Sequence, residues 1–246
     1  MKNVPPNGYE GWYTIRTHEV DAQQRLTIPA LMTLMQEASM HNARELQISL
    51  WDEEMNNLSW VILRKELNIV KMPTLGDKVK VVTYPAGFQK IFAYRDFRVF
   101  DEEGNELATA GSTWTLMNLN ERRMGRIPEH ILNLETLQPE NCLTIPQTRL
   151  KMDSALKEKY TYTIRHFDLD WNNHVNNIVL AKLMIQSVDI ELMSSRQIKK
   201  FTIHIKSECY LNDSLKVLMS IKGNQRFHQI SDTKDKAIAM SISEWT

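Results

Sequence analysis

The chain has 246 residues, of which 42% are apolar and 24% are charged, a composition typical of a globular protein and unlike that of a disordered one. Thirty Lys and Arg residues balance thirty Asp and Glu residues, so no cationic excess favours binding to DNA, RNA or an anionic membrane. The length fits one large domain or two domains of about 120 residues each.

The first half of the chain predicts one strand, one long helix and then four strands. The helix is expected to begin at Ile28, with Thr27 as its N-cap and Pro29 in its first turn, and to run for roughly 18 residues. Its apolar face is made of Ile28, Leu31, Met32, Met35, Ala38 and Leu46. The strands are expected at about 12–17, 59–71, 77–84, 88–100 and 106–118.

The second half predicts the same order of elements. Its helix, again of roughly 18 residues, is expected to start behind Asn176, a residue type that favours the N-cap position. The apolar face of this helix is made of Ile178, Ala181, Ile185, Val188 and Leu192. The strands are expected at about 160–167, 199–210, 214–222, 225–231 and 236–244.

Two stretches of sequence occur twice, in the same order. Tyr13–Asp21 aligns without a gap with Tyr162–Asp170, which lies 149 positions later. Leu75–Val81 aligns with Leu211–Val217, which lies 136 positions later. An internal repeat on this scale predicts two tandem units of one fold.

A long helix followed by antiparallel strands predicts an α+β unit in which a curled sheet wraps the helix, an arrangement known as the hotdog fold. Two copies predict a double hotdog, with the two units packed as a pseudo-dimer. We place the N-terminal hotdog at 1–125 and the C-terminal hotdog at 156–246. The proline-containing segment 126–155 is the predicted connector.

Secretion and membrane insertion are not expected. The longest apolar runs are as short as Trp60–Leu63, whereas a membrane-spanning helix needs about 18 apolar residues. The N-terminal segment lacks the apolar stretch of a signal peptide. Because Cys142 and Cys209 offer neither a disulfide framework nor a metal-binding spacing, we expect a cytoplasmic protein.

Chemically active side chains are concentrated in one turn of the second half. Residues 165–177 include two carboxylates, two histidines and four asparagines, directly before the predicted helix. Free N–H groups and the helix dipole at such a position favour developing negative charge, which is what polarisation of a carbonyl oxygen requires. The alternative is a purely structural polar turn. The repeat weakens that alternative, because Arg25 stands where the second half has His174.

Glu208 and Cys209 are expected on the strand at about 199–210. Alternation along that strand puts Cys209 on the apolar face with Ile203 and Ile205, and puts Glu208 on the opposite, polar face. The two side chains therefore cannot both reach one site unless a bulge intervenes. On this pattern Cys209 is a small buried residue.

Other kinds of site find little support. His166, Asp168, Asp170 and His174 carry ligand atoms, but their spacing matches no common metal site, so we expect no metal and no cofactor. With only 8 glycines, the chain has no Gly-rich phosphate loop. A basic cluster in the connector region could face solvent or dock an acidic partner; it contains Arg122, Arg123 and Arg126.

The segment Asp168–Asn177, DLDWNNHVNN, resembles the D-L-D-x-N-x-H-V-N-N motif of the acyl-acyl carrier protein thioesterases, best known from plants. Glu208-Cys209 followed by Asp213-Ser214 resembles a second stretch of that family. A third similar stretch runs from Ala108 to Pro128, and the resemblance covers roughly residues 10–246.

The resemblance implies a double hotdog that hydrolyses the thioester of a fatty acyl chain on acyl carrier protein, which ends fatty acid synthesis. It implies that the catalytic residues are Asp170, Asn172, His174 and Glu208, with Cys209 as a further candidate. Two departures from the plant pattern stand out. The spacing from Cys209 to Asp213 is one residue longer, which puts the register of Glu208 in question, and Leu180 replaces a Tyr.

A thioester needs an activated water and donors for the oxyanion more than it needs acid assistance, because its thiolate leaves readily. Glu208 is the expected general base, acting through water or with His174. Asp170 would orient His174 or the water, and Asn172 would hold the water or the carbonyl. N–H groups near Asn176 would bind the oxyanion. The acyl chain is expected against the N-terminal hotdog, with Met32 and Met35 as one wall of its slot.

The expected partner is acyl carrier protein bearing a fatty acyl chain, with no nucleic acid or membrane. The sequence leaves the oligomeric state open, and a homodimer is one of the alternatives. It also leaves open an acyl-CoA thioesterase of the same fold and a non-enzymatic acyl-binding module. A dehydratase is a weaker alternative, since one fold hosts several chemistries.

Overall fold

The structure is a computed structural model that describes residues 4–49, 51–52, 55, 57–136, 143 and 149–246. The chain divides into two compact units, Met1–Pro146 and Gln147–Thr246. Three residues noted in the sequence fall outside the described residues, namely Pro139, Cys142 and Pro146. Each unit contains one longer helix and one antiparallel sheet, as the repeat predicts.

The described residues of the first unit form six strands and two helices. They are β1 (Tyr9–Thr14), α1 (Ile28–Glu45), β2 (Leu58–Ile69), β3 (Lys78–Gln89), β4 (Phe92–Phe100), β5 (Glu106–Asn118), β6 (Arg123–Met124) and α2 (Glu129–Leu132). The sheet order is β1-β3-β4-β5-β2, every neighbouring pair is antiparallel, and β6 pairs with β5. Helix α1 packs against β1 and β3.

Helix α1 confirms the signals read from the sequence. Thr27 is its N-cap and accepts a hydrogen bond from the N–H of Ala30 at 3.3 Å, and a proline lies in the first turn. The apolar face is buried from Ile28 to Ala38, and Leu31, Met35 and Ala38 have no accessible surface, whereas Leu46 is the C-cap and is only partly buried. The burial of this face against the sheet, more than helix propensity, is what stabilises a helix of this length.

Residues at the start of the predicted connector belong to the core of the first unit. Ile127 and Ile131, beside and within α2, pack with Met55 and Leu116 in one apolar cluster. The contacts that define the first unit therefore continue past residue 125. Short helix α2 lacks the alternating pattern of a strand and is too short to give a helical period, which is why its packing was not apparent from the sequence.

The second unit is built from five strands, a 3₁₀ turn at His166–Asp168 and two helices. The other elements are β7 (Lys157–Thr163), α3 (Asn177–Gln186), α4 (Ile190–Ser195), β8 (Ile198–Ile205), β9 (Ser214–Lys222), β10 (Gln225–Ser231) and β11 (Ala237–Trp245). The sheet order is β8-β11-β10-β9-β7, and all neighbours are antiparallel. Helix α3 packs against β9 and β10.

The second helix is shorter than predicted. Asn176 is its N-cap, as expected, but α3 has 10 residues and is followed by a separate helix, α4, of 6 residues. The break occurs where the N–H groups of Ser187 and Val188 bond to carbonyls three residues back instead of four. The hydroxyl of Ser187 also donates to the carbonyl of Met184 at 2.6 Å, so the last turn tightens and ends.

The strand predicted at about 199–210 is wrong in its C-terminal part. Strand β8 ends at Ile205, and Glu208 and Cys209 lie in the following loop. The chain turns there because the N–H groups of Lys206 and Ser207 both donate to the carbonyl of Ile238. Within β8, consecutive residues from Phe201 to His204 are all buried, so its two faces are not divided into an apolar and a polar one.

The core of the first unit contains a lysine. Lys65 on β2 is 3% exposed, and its Nζ lies 4.4 Å from the centre of the Phe97 ring. Burial lowers the pKa of Lys65 to about 7, and the positive charge of Arg95 acts in the same direction. The folded chain therefore releases this proton at a pH where an unfolded chain still holds it.

We expect Lys65→Met to flatten the pH dependence of stability between about pH 7 and pH 10. In this window the unfolded wild-type chain binds more protons than the folded chain, so wild-type stability rises with pH, by up to about 1.4 kcal/mol per pH unit. The variant loses this rise, and its gain in stability is largest below about pH 7, where the buried charge is fully present.

Urea unfolding at several pH values measures this effect. The matched control is Lys78→Met, which removes the same charge from an exposed position of β3 and should leave the slope unchanged. If the free energy of unfolding of the wild type and of Lys65→Met changed in parallel with pH, the lowered pKa of Lys65 would be contradicted.

Candidate active site

The turn between β7 and α3 is organised by the carboxylate of Asp170. Its Oδ1 accepts hydrogen bonds from the backbone N–H groups of Asn172 at 2.8 Å and His174 at 3.3 Å. The N–H of Asp170 in turn donates to the carbonyl of His174 at 2.8 Å, and Asn173 takes the left-handed conformation that Asn tolerates. Asp170 therefore holds the backbone that carries Asn172 and His174. It contacts the main chain of His174, not the imidazole.

The first half contains the same turn with Asp21 at its centre. Oδ1 of Asp21 accepts from the N–H groups of Gln23 at 2.9 Å and Arg25 at 3.0 Å. The side chains then differ, because Nε of Arg25 reaches back to Oδ2 of Asp21 at 3.0 Å. In the second half the imidazole of His174 instead turns toward a neighbouring loop. The repeated turn thus carries an internal ion pair in one copy and an available imidazole in the other.

Glu208 is the residue that faces His174. Oε1 of Glu208 lies 3.6 Å from Nδ1 of His174, and the two side chains are 30% and 24% exposed. The backbone holds them together, because the N–H of Val175 donates to the carbonyl of Cys209 at 3.0 Å. The pair is therefore partly shielded from water yet open on one side.

The equivalent place in the first half has no carboxylate. There the N–H of Leu26 donates to the carbonyl of Pro73 at 2.8 Å, which corresponds to the bond between Val175 and Cys209. Met72 consequently occupies the position of Glu208, and it is 7% exposed. The first copy keeps the backbone arrangement but has neither the imidazole nor the facing carboxylate.

Tyr210 completes the cluster, and sequence reasoning missed it. Its hydroxyl donates a hydrogen bond to Oε2 of Glu208 at 2.7 Å, and its ring packs edge-on against His174 with the ring centres 5.2 Å apart. The N–H of Tyr210 donates to Oδ2 of Asp213 at 2.8 Å, which fixes the loop. The only signal in the sequence was its position next to Cys209, because the loop has no regular side-chain alternation.

Cys209 is placed away from this cluster. Its side chain is 2% exposed, and burial raises the pKa of its thiol to about 12, with smaller effects from the negative charges of Asp213 and Glu208. Nucleophilic catalysis uses the thiolate, which this environment disfavours. The expectation that Cys209 is buried and Glu208 points elsewhere agrees with the coordinates, although the strand on which it was based does not extend this far.

The start of α3 offers polar groups beside the turn. Oδ1 of Asn176 accepts a hydrogen bond from the N–H of Ile178 at 2.9 Å, so the cap already engages this oxygen and this N–H. The N–H of Asn177 and the side-chain amide of Asn172 make no hydrogen bond within the described part of the chain. These two groups are available to a bound molecule.

The first unit contains an apolar pocket of about 530 Å³, a volume that includes the part open to solvent. It lies between the C-terminal half of α1 and the sheet, and Met40 of α1 is part of its wall. Met32 and Met35, which the sequence suggested as a wall of the acyl slot, are buried at 3% and 0% exposure and do not line this pocket. Their role as a wall stays a prediction.

Across the described residues, no group of three or more His, Cys, Asp and Glu side chains is arranged to hold a metal ion. No helix in the same part of the chain is both long and apolar enough to cross a membrane.

Two protein-family models match this chain. The N-terminal domain of acyl-ACP thioesterases matches residues 6–134, and the C-terminal domain matches residues 151–246. The chain belongs to the acyl-ACP thioesterase family. The family resemblance read from the DLDWNNHVNN segment is thereby confirmed.

Curated relatives in this family come from plants. The chloroplastic palmitoyl-acyl carrier protein thioesterase of Arabidopsis thaliana is 27% identical over 226 residues, which cover 86% of this chain and 54% of the relative. The chloroplastic oleoyl-acyl carrier protein thioesterase 2 of the same plant is 26% identical, over 83% of this chain and 60% of the relative. The chain thus spans about half the length of the curated relatives it matches.

Solved structures in the acyl-ACP thioesterase family share the fold. An acyl-ACP thioesterase from Bacteroides thetaiotaomicron superimposes with a TM-score of 0.89 at 23% identity, covering 98% of both chains. The 12:0-ACP thioesterase from Umbellularia californica gives a TM-score of 0.83 at 25% identity, covering 99% of both chains. The double hotdog predicted from the internal repeat is confirmed.

Proposed function

We propose that this protein hydrolyses the thioester between a fatty acyl chain and acyl carrier protein, releasing free fatty acid and so ending fatty acid synthesis. Family membership supports the reaction class. The observation that carries the proposal is the pair of His174 and Glu208, which lies beside the start of α3 in the second half and has no counterpart in the first. An acyl-binding module without catalysis would have no use for this difference between the copies.

Hydrolysis of a thioester needs a general base more than it needs a general acid. The thiolate leaving group has a pKa near about 8.5, so it departs without a strong proton donor. Glu208 acts as the general base, either directly on a water or through His174. Tyr210 holds Oε2 of Glu208, which leaves Oε1 directed at His174. Attack by water then needs no covalent intermediate.

The remaining polar groups of the site either bind the substrate or position other residues. The amide of Asn172 and the N–H of Asn177 are donors without acceptors in the described chain, so they suit the carbonyl oxygen as it becomes an oxyanion. Asn176 acts through the cap of α3. Asp170 is a positioning residue, since its carboxylate holds the turn and does not reach the imidazole.

The N-terminal hotdog, with residues 1–125, is proposed to line the acyl pocket, and acyl carrier protein is the proposed partner. Of the basic cluster that could face this acidic partner, Arg123 is already paired, because its Nε lies 2.7 Å from Oε2 of Glu121. Both groups are exposed, so this pair contributes little stability and can exchange for another carboxylate. A homodimer stays a prediction.

Release of free fatty acid from a loaded carrier tests the function directly. We expect the purified protein to hydrolyse acyl carrier protein loaded with saturated chains of different lengths, and a parallel series of acyl-CoA esters distinguishes the two carriers. Faster hydrolysis of the CoA series would assign the protein to acyl-CoA thioesterases. Hydrolysis of neither series by folded protein would rule out the proposal.

The two copies of the turn should respond differently to mutation. We expect His174→Ala to lower kcat/KM by about 10²–10⁴-fold, because it removes one of the two proton-handling groups. Arg25→Ala, the matched change in the first half, should lower it by well under tenfold, because Arg25 is in an ion pair with Asp21 of its own turn and not with a carboxylate placed like Glu208. Steady-state kinetics on the best acyl carrier protein substrate measures both, and equal losses would contradict the assignment of chemistry to the second half.

Substitution of Glu208 and substitution of Cys209 should have different effects on activity, although the two residues are adjacent. Glu208→Ala is expected to lose about 10²–10⁴-fold in rate because the base is gone. Cys209→Ser should keep most of the activity, since a hydroxyl fits the buried site and no thiolate is used. Rapid-quench mass spectrometry provides the check on mechanism. An acyl group trapped on Cys209 would reverse the roles of the two residues.

A further inference from the structure

A row of side chains across the first sheet brings two cations into the interior. Lys65 on β2, Ser112 on β5 and Arg95 on β4 are directly opposite one another in the strand register. Residues in register across antiparallel strands project from the same face, so Lys65 and Arg95 share a face with backbones roughly 10 Å apart. Nη1 of Arg95 donates to Oδ1 of Asn42 on α1 at 2.7 Å, so this is the face that α1 covers.

No carboxylate among the described residues neutralises either cation. Arg95 donates to Asn42 and to the hydroxyl of Thr83, at 2.7 Å and 3.2 Å, and both bonds come from Nη1. Within the described residues its Nη2 and Nε have no acceptor, and neither Arg95 nor Lys65 contacts a carboxylate. A guanidinium carries five donors, and the residues that the structure describes accept hydrogen bonds only from its Nη1. Buried cations without a counter-ion are costly, and proteins seldom retain them without a use.

Arg95 opens into the apolar pocket of the first unit. Burial lowers the pKa of Arg95 to about 10, yet the residue keeps some accessible surface and is part of the pocket wall. It remains charged at neutral pH. Among the described residues that line this pocket, Arg95 is the one that is charged; the others are Ser39, Met40, Ala43, Ile48, Trp60, Pro85, Phe88, Ala93, Tyr94 and Trp114.

The two tryptophans present apolar surfaces to this space. Nε1 of Trp60 donates to the carbonyl of Ile48 at 2.9 Å, and Nε1 of Trp114 donates to the hydroxyl of Ser112 at 2.7 Å. Because both indole N–H groups are satisfied, the ring faces are left for hydrocarbon. An apolar chamber with a single cationic point suits a ligand that is mostly hydrocarbon and carries one negative charge.

We propose that this pocket binds an alkyl chain bearing a carboxylate, with the carboxylate on Arg95 and the chain between Trp60 and Trp114. The planar guanidinium offers paired donors that match a carboxylate, and these charge-assisted hydrogen bonds are stronger than neutral ones. Lys65 lies in the same row of the sheet, and it adds to the positive charge below about pH 7, where it is protonated. The carboxylate has two sources, namely a free fatty acid or an acyl chain that carries a carboxylate at its far end. The inference stands on the first unit alone and does not require the proposed hydrolysis.

Calorimetric titration with decanoate and with 1-decanol tests the proposal, because the two probes share a chain and differ in charge. We expect the wild type to bind decanoate at least about tenfold more tightly than decanol, the ratio expected for one charge-assisted contact. Arg95→Gln should abolish this preference while the affinity for decanol stays the same. Arg98→Gln is the matched control on β4, since Arg98 is paired with Glu106 at 2.6 Å and is not part of the pocket wall.

A purely structural role for Arg95, as a link between α1 and β4, makes the opposite prediction. In that case the wild type binds both probes equally, or the preference survives in Arg95→Gln, and either result overturns the proposal. Lys65→Met is a second variant that keeps the test available if Arg95→Gln does not fold. It should reduce the preference for decanoate by a smaller factor, and an unchanged preference in this variant would count against the proposal.

Kinetics distinguishes the two sources of the carboxylate. Acyl carrier protein loaded with a chain that ends in a carboxylate should be hydrolysed faster than its methyl-ended counterpart by the wild type, but not by Arg95→Gln, if the chain end is the ligand. Equal rates on the two substrates, together with tight decanoate binding, identify the free fatty acid instead. If neither thioester is hydrolysed, the proposed function fails while the titration still decides the nature of the pocket.

Discussion

The two hydrogen bonds from Oδ1 of Asp170 to the backbone N–H groups of Asn172 and His174 are the constraint on which the site depends. They close a tight turn before α3 and aim both side chains without using either of them. Asp21 closes the same turn in the first half with nearly equal distances. The backbone of the turn is therefore a property of the repeated fold, and the chemistry is a property of the side chains that the turn carries. One copy can lose its reactive groups while the fold is kept.

Two buried polar side chains, His228 in the second unit and Arg95 in the first, are accommodated in different ways. In the second unit His228 is fully buried between two hydroxyls, with Ser187 and Ser243 each 3.0 Å from one ring nitrogen. Burial lowers the pKa of His228 to about 3, so the ring is neutral and the network is complete. In the first unit Arg95 stays charged, and most of its donors have no acceptor among the described residues. The network around His228 stabilises a core, whereas the donors of Arg95 at the pocket wall are the groups that we propose bind a carboxylate.

Much of the architecture was predictable because it rests on short-range patterns. Thr27 and Asn176 were recognisable caps, since a side-chain oxygen that accepts from an N–H two or three residues ahead needs only local sequence. The end of α3 at Ser187 was not predictable, because the hydroxyl of Ser187 also contacts His228, 41 residues away. The loop after β8 was misread as strand, because the bonds to Ile238 that end the strand come from a distant segment. Local pattern does not contain those contacts.

The sequence by itself determined the repeat, the two-unit fold, the family and the turn that holds His174, because each is written in residues that are near neighbours in the chain or that recur at a fixed offset. Only the tertiary structure decided that Glu208 faces His174, that Tyr210 holds Glu208, and that Cys209 is buried. Only the strand register revealed Lys65 and Arg95 as one row, since they come from strands that are both paired with β5. Side-chain direction in a loop and register across a sheet are set by backbone bonds between distant residues, which no local pattern encodes.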